Sequence, residues 1–242
     1  MHQPTLNLTI KLEQLICHKR VGSGEPYLWT IFFKADHSCV RINDAFHLEG
    51  KPEFQFTEHG FGSLGKNLAH RRIPIPAAIG EWKTTLEPLR VPYFEQSTVG
   101  IAGVVYIALE HHNLSQEGAV AAHKALNNHV NRIAQRIIAD FDPTQIELIR
   151  FTKSITTYFG DAFKKELANI QDVIVEAVKN NQSLVQNIWT LVHKDNLIGY
   201  DFHIFTHFDF EDEPTKPVEF AQRFRTEHGD WEVLGNARIH KL

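Results

Sequence analysis

The stretch VGIAGVVYIALEHHNLS, Val99–Ser115, decides how the rest of the chain is read. Its first eleven residues, Val99–Leu109, carry no charge. That run is too short for a membrane-spanning helix, which needs about 20 residues. Its branched and aromatic content suits a β-strand buried on both faces. The period changes at Ser115. Beyond it Leu126, Val130, Ile133 and Ile137 recur at spacings of four and three, with Ile138 alongside. This predicts an amphipathic helix with Ser115 as its N-cap. A strand therefore feeds a helical block.

Working backwards, Leu6, Leu8, Ile10 and Leu12 alternate with Asn7, Thr9, Lys11 and Glu13. Period two predicts a half-buried strand. Gly22 and Gly24 mark a turn, and Pro26–Lys34 (PYLWTIFFK) is apolar on both faces, as in a central strand. Cys39–Ile42 and Glu53–Thr57 are short strand candidates. Gly60–Pro92 holds four Gly and four Pro, with apolar pieces at Ile73–Ile79 and Trp82–Leu89, and reads as loops and edge strands.

Working forwards, Asp142-Pro143 starts a second helix that runs to Phe159. Gly160-Asp161 reads as stop and restart, and a third helix carries Phe163, Leu167, Ile170, Ile174 and Val178, then Leu184, Ile188 and Leu191. Residues 115–194 hold nine Lys/Arg and eight Asp/Glu, a nearly neutral block. Strand character returns at Asn196. Phe202, Ile204, Phe208 and Phe210 are expected on one face, and Asp201, His203, His207 and Asp209 on an exposed polar one. Trp231–His240 is the last strand expected. The closing strands need partners, and those lie before the helices. The expectation is an α+β chain: an antiparallel β-sandwich of residues 1–114 and 195–242, interrupted by about three helices in 115–194. Two separate domains are the alternative.

Composition bounds the function. The chain has 242 residues, 43% hydrophobic and 22% charged, which excludes disordered, collagen-like and coiled-coil classes. Net charge is −4, so no nucleic-acid footprint is expected. The opening MHQPTLNLTIKLEQ lacks the basic and apolar regions of a signal peptide. Two Cys, Cys17 and Cys39, fit a reducing compartment. A cytoplasmic setting follows as the expectation, with export by a route that needs no cleaved signal left open.

Four features resemble the C2 domain superfamily, whose β-sandwiches bind calcium and lipid. LNLTIKLEQL is similar to its first strand. Ser23-Gly24-Glu25-Pro26-Tyr27 resembles its Ser-Asp-Pro-Tyr. VVYIALEHHNLS resembles its strand leading into an acidic loop, and Asp195-Asn196-Leu197-Ile198-Gly199 its Asp-Asp-Phe-Ile-Gly. The resemblance covers roughly residues 5–57, 97–114 and 195–240, and their order carries more than any one motif. It implies that the helices interrupt the third calcium-binding loop. It also implies calcium ligands at Glu25, Glu110 and Asp195, with Asp36 as a further donor. The chain departs from the family where Glu25 replaces an Asp and His112 stands at a second acidic position. Calcium takes six to eight oxygens, so three scattered surface acids are the rival reading.

Other motifs are weaker. GFGSLGKN, Gly60–Asn67, nearly matches a P-loop, but Asn67 holds the hydroxyl position and the following IPIP is not helical. A flexible loop is the better reading. Cys17 beside His18 reads as a buried strand cysteine. Of the four tryptophans, Trp189 lies on the third helix and suits either anchoring to the sheets or a membrane interface. Three functions are expected in order. The first is a non-enzymatic lipid- or membrane-directed protein of effector or pore-forming type. The second is an interaction module whose packed helical cap forms a homo-oligomer. The third is a metal-assisted hydrolase built on Glu110, His112 and Asp195.

Overall fold

A computed structural model describes residues 3–21, 25–57, 72–93, 97–111, 116–140, 160–162, 164–165, 197–226 and 229–240. In chain order the strands are β1 (Leu6–Arg20), β2 (Glu25–Ala35), β3 (Val40–Ile42), β4 (Leu48–Gly50), β5 (Glu53–Phe56) and β6 (Arg72–Pro74). The helical turn α1 (Ala77–Gly80) follows, then β7 (Glu81–Leu86), β8 (Leu89–Arg90), β9 (Ser97–Thr98) and β10 (Ile101–His111). Helix α2 (Gln116–Ala139) starts one residue after Ser115. The remainder is β11 (Leu197–Thr206), a 3-10 helix (His207–Phe210), β12 (Val218–Thr226) and β13 (Gly229–His240). Gly160–Ala162 and Lys164–Lys165 are helical as well.

The strands form mostly antiparallel sheets. One has the order β12-β13-β1-β6, with β7 also on β1, and the other the order β11-β10-β2-β5. β3 with β4 and β8 with β9 make two short hairpins. The first strand pairs with the last, so residues from both ends of the sequence share a sheet. Likewise β10 ends at His111, and β11 begins opposite Leu109 on the neighbouring antiparallel strand.

β1 shows how sequence sets register. Leu8, Ile10 and Leu12 point into the core, and past Glu13 the inward set becomes Leu15 and Cys17. A bulge against β13 between Leu12 and Gln14 makes this change of parity, and a second lies between Cys17 and Lys19. Period two cannot continue through a bulge, because the extra residue turns every later side chain over. On its other edge β1 pairs with β6 over Gln14–Ile16 and with β7 over Leu6–Lys11. The four residues of α1 take up the slack between them, and Ile75 N–H donates to the Glu13 carbonyl (2.9 Å) at the join.

Two buried clusters share the second sheet. One joins Leu8, Ile10, Leu12, Trp82, Trp231 and Val233 of the first sheet to Leu28, Phe32, Ala102, Val104 and Tyr106 of the second. The other lies on the opposite face, where Trp29, Ile31, Phe33, Val105 and Ile107 meet α2. β2 and β10 are therefore buried on both faces, as their unbroken apolar sequence requires. The helix buries His123, Leu126, Val130, Ile133, Ala134, Ile137 and Ile138. Each large aliphatic side chain of that stripe contributes roughly 1.5–3 kcal/mol. The His123 ring meets Trp29 edge-on at 5.3 Å.

One strand expectation needs correction, and one strand was not expected. Phe208 and Phe210 do not continue the face of Phe202 and Ile204. The strand stops at Thr206, where a capping box of Thr206 with Asp209 opens the 3-10 helix, leaving Phe208 exposed and Phe210 buried. Residues 218–226, to which the sequence reading assigns no element, form β12 on the edge of the first sheet. The second helix and nearly all of the third fall outside the described residues, as does the Gly60–Asn67 motif.

Candidate functional site

Glu25 and Glu110 occupy one end of the second sheet, where Glu25 pairs with His111 and Pro26 with Glu110. Asp195 and Trp189 lie outside the described residues, as does His112. Asp36 does not join this end. It follows Ala35, which pairs with Ile101 at the far end of the same two strands. Eleven positions at about 3.3 Å each put it some 36 Å from Glu25, so it is no donor to a site there. Among the described residues no group of three or more His, Cys, Asp or Glu is placed to hold a metal ion.

Asp36 instead centres a buried polar knot. Its side chain is fully buried. Oδ1 accepts from Ser38 N–H (3.0 Å) and from the Ser38 hydroxyl (2.5 Å), and Oδ2 accepts from Glu87 N–H (3.0 Å). The Cys39 thiol lies 3.6 Å from Oδ1, and Lys34 Nζ lies 3.4 Å from Oδ2. A carboxylate has about four lone-pair positions, so Asp36 has none to spare for a substrate. Lys34, 4% exposed, also reaches Glu53 (3.4 Å) and donates to the Thr85 carbonyl (3.3 Å). The knot thus ties β2 and β5 of one sheet to β7 of the other. Burial pushes the Cys39 thiol up, reinforced by the Asp36 charge and partly offset by its backbone hydrogen bonds and Lys34. A raised thiol is a poor nucleophile at neutral pH. Nearby, His207 is 2% exposed rather than on an open strand face. Burial lowers its pKa, against the opposing pull of the Pro4 and Leu86 backbone and of Asp36 and Glu211.

A second polar cluster sits where the sheets meet along β11 and β12. Tyr106, fully buried in the apolar run of β10, has its hydroxyl 3.2 Å from His203 Nε2. The two rings stack at 5.9 Å, and Phe220 of β12 covers the imidazole at 4.0 Å. The face carrying Asp201 and His203, expected to be exposed, points toward the other sheet. Phe205 shares it and packs on Phe220 at 5.7 Å. Asp201 pairs with Tyr106 across the strands, and its Oδ1 accepts from Phe202 N–H (2.8 Å). Burial dominates all three titrations. It pushes the Tyr106 hydroxyl far up, with help from the Asp201 charge, and moves the His203 imidazole down to about 4. It raises the Asp201 carboxyl against the Phe202 N–H and Lys164. At neutral pH the cluster holds a neutral imidazole and a phenol, a packing unit rather than an acid–base pair facing solvent.

Cys17 lies in the inter-sheet core, while His18 Nε2 meets Glu232 at 2.8 Å. No Cys–His dyad forms between them. The outer face of the first sheet carries an open groove of about 500 Å³, lined by Asn7, Thr9, Lys83, Thr84, Thr85 and His240. Among the described residues no helix is long and apolar enough to cross a membrane. No family model, curated protein or solved structure matches the chain.

Proposed function

We propose that the chain is a C2-like β-sandwich that acts on membranes or lipid without catalysis, its helical segment serving as the working insertion. One observation carries the reading. The chain leaves β10 beside Glu110, and β11 begins on the neighbouring strand at the end of the sheet where Glu25 also stands. That is the address the C2 resemblance gives to a calcium-binding and membrane-facing loop. Two antiparallel sheets sharing one core support the same reading. Calcium held by Glu25, Glu110 and Asp195 is part of the proposal, as is Trp189 at the lipid or partner contact. A cytoplasmic setting belongs to it as well.

The test is flotation of the purified chain with anionic liposomes, with calcium and with chelator. Flotation that needs calcium and is lost in E25Q, E110Q and D195N supports the full proposal. Flotation in both conditions keeps the membrane and discards the metal. Absence from the lipid fraction in both removes the reading.

A second reading rests on α2. Its apolar stripe is fully packed on the second sheet, as a permanent cap would be. An interaction module forming homo-oligomers then takes the place of the membrane protein. It predicts a mass that grows with concentration and is indifferent to lipid.

A further inference from the structure

We propose that His203 is an acid-sensitive latch that holds the β11 edge of one sheet against β12 of the other. This inference stands apart from the membrane reading and does not require it. Among the described residues β11 and β12 each end their sheet, and no main-chain hydrogen bonds join the two sheets along this seam. Side chains close it. Phe220 and Phe224 reach across from β12, and both are seated on glycine. A β-carbon on Gly199 would overlap the Phe224 ring, and one on Gly235 the Phe220 ring. The His203 imidazole completes the layer between Tyr106 and Phe220.

The groups facing His203 settle what protonation does. β10 offers the Tyr106 hydroxyl, which is itself buried. β11 offers Asp201 two residues away on the same face, its Oδ1 engaged by Phe202 N–H and its carboxyl pushed up by burial. β12 turns Val218, Phe220, Gln222 and Phe224 to this face, none of them charged, and the Gln222 amide donates to the Arg223 carbonyl (3.2 Å). Its charged residues Glu219, Arg223 and Arg225 alternate to the outer face, where Arg223 and Arg225 pair with Asp230. β13 contributes the apolar Trp231 and Val233. A second proton on the imidazole therefore places a charge between the Tyr106 and Phe220 rings, where it has no ion pair with a carboxylate among the described residues. Neutral, the ring needs only the Tyr106 hydroxyl and packs as an aromatic. Charged, it is better solvated with the seam open.

The sign follows from the two protonation equilibria. In the closed seam the imidazole titrates at about 4, against 6.5 when free. Opening is therefore favoured as pH falls below 6.5. The linked equilibrium rises about thirtyfold by pH 5 relative to pH 8.

Hydrogen exchange of the full chain, corrected for the intrinsic effect of pH, reads this directly. The expected result is that β11 and β12 lose protection between pH 6.5 and 4 before β1 and β13 do. In H203F, which keeps a ring but cannot take a proton, that acid-linked loss shrinks to less than threefold. An equal loss in H203F overturns the proposal, as does simultaneous loss across both sheets. Should H203F fail to fold, an NMR titration of His203 in the unaltered chain decides instead. A midpoint below 5 supports the latch, and one at or above 6.5 refutes it.

Discussion

Replacing Asp36 by alanine removes one charge and orphans several partners at once. Ser38 N–H and Oγ, Glu87 N–H and Lys34 Nζ all lose their acceptor. Lys34 suffers most, because its side chain is 5% exposed and its remaining carboxylate, Glu53, is half exposed. Breaking a buried pair by deleting one partner costs about 3–5 kcal/mol. With an unfolding entropy of ~2.1 cal/mol/K per residue, a domain of this length moves by ~2 °C per kcal/mol, so D36A is expected to melt ~6–10 °C lower. Urea unfolding followed by tryptophan fluorescence supplies the assay, since Trp29, Trp82 and Trp231 are all buried. The midpoint should fall with the slope unchanged. K34M/D36A should recover at least ~1 kcal/mol relative to D36A, because no buried charge is then left unpaired. A D36A midpoint within about 1 kcal/mol of the parent, or a double variant no better than D36A, would refute the idea that this knot fastens the sheets.

Three further outcomes are expected. Gly199→Ala drives a methyl into the Phe224 ring and should cost about 1–3 kcal/mol by urea unfolding, with part of it restored in G199A/F224L. Tyr93 is 78% exposed and held at φ 64°, a conformation that costs a bulky residue about 1–2 kcal/mol. Tyr93→Asn should therefore leave stability unchanged or raise the melting temperature slightly. Global stability should fall as pH drops below 6.5, because burial depresses both His203 and His207 and the unfolded chain takes up more protons than the fold. Urea midpoints at pH 8 and pH 5 check this, and a midpoint that rises toward pH 5 contradicts it.

Much of the architecture was legible where one period ruled. The alternation from Leu6 to Leu12, the doubly apolar β2 and β10, and the stripe from Leu126 to Ile138 each state their burial outright, and those residues pack as expected. β12 was missed although Val218, Phe220 and Phe224 alternate, because charged residues intervene and, among the described residues, its only strand partner is β13. The polar face of β11 misled for a different reason. Composition says Asp and His seek water, but the Tyr106 hydroxyl and the Phe220 ring give His203 a partner and a wall inside. Two signals could have pointed inward: a lone tyrosine in an otherwise apolar strand, and the charged FFKADHSC at the end of another. Asp36 was read as a further calcium donor although the strand expected over Pro26–Lys34 already separates it from Glu25. The pairing of Ala35 with Ile101 separates Asp36 from Glu110 as well.

The change of parity in β1 limits how the chain can err while folding. A strand that alternates without interruption can pair two residues out of step and still present the same face to the core. β1 lacks that freedom. Its inward residues are even-numbered up to Leu12 and odd-numbered at Leu15 and Cys17. Slipping β13 by two would carry the bulge away from Glu13 and turn polar side chains inward. The turn α1 sets the same marker on the other edge, where the shift of four residues falls beside Leu12 and Glu13. Both neighbours of β1 are thus aligned to one point on it, and a misaligned pairing on either side forfeits the core at once instead of persisting as a near-native trap.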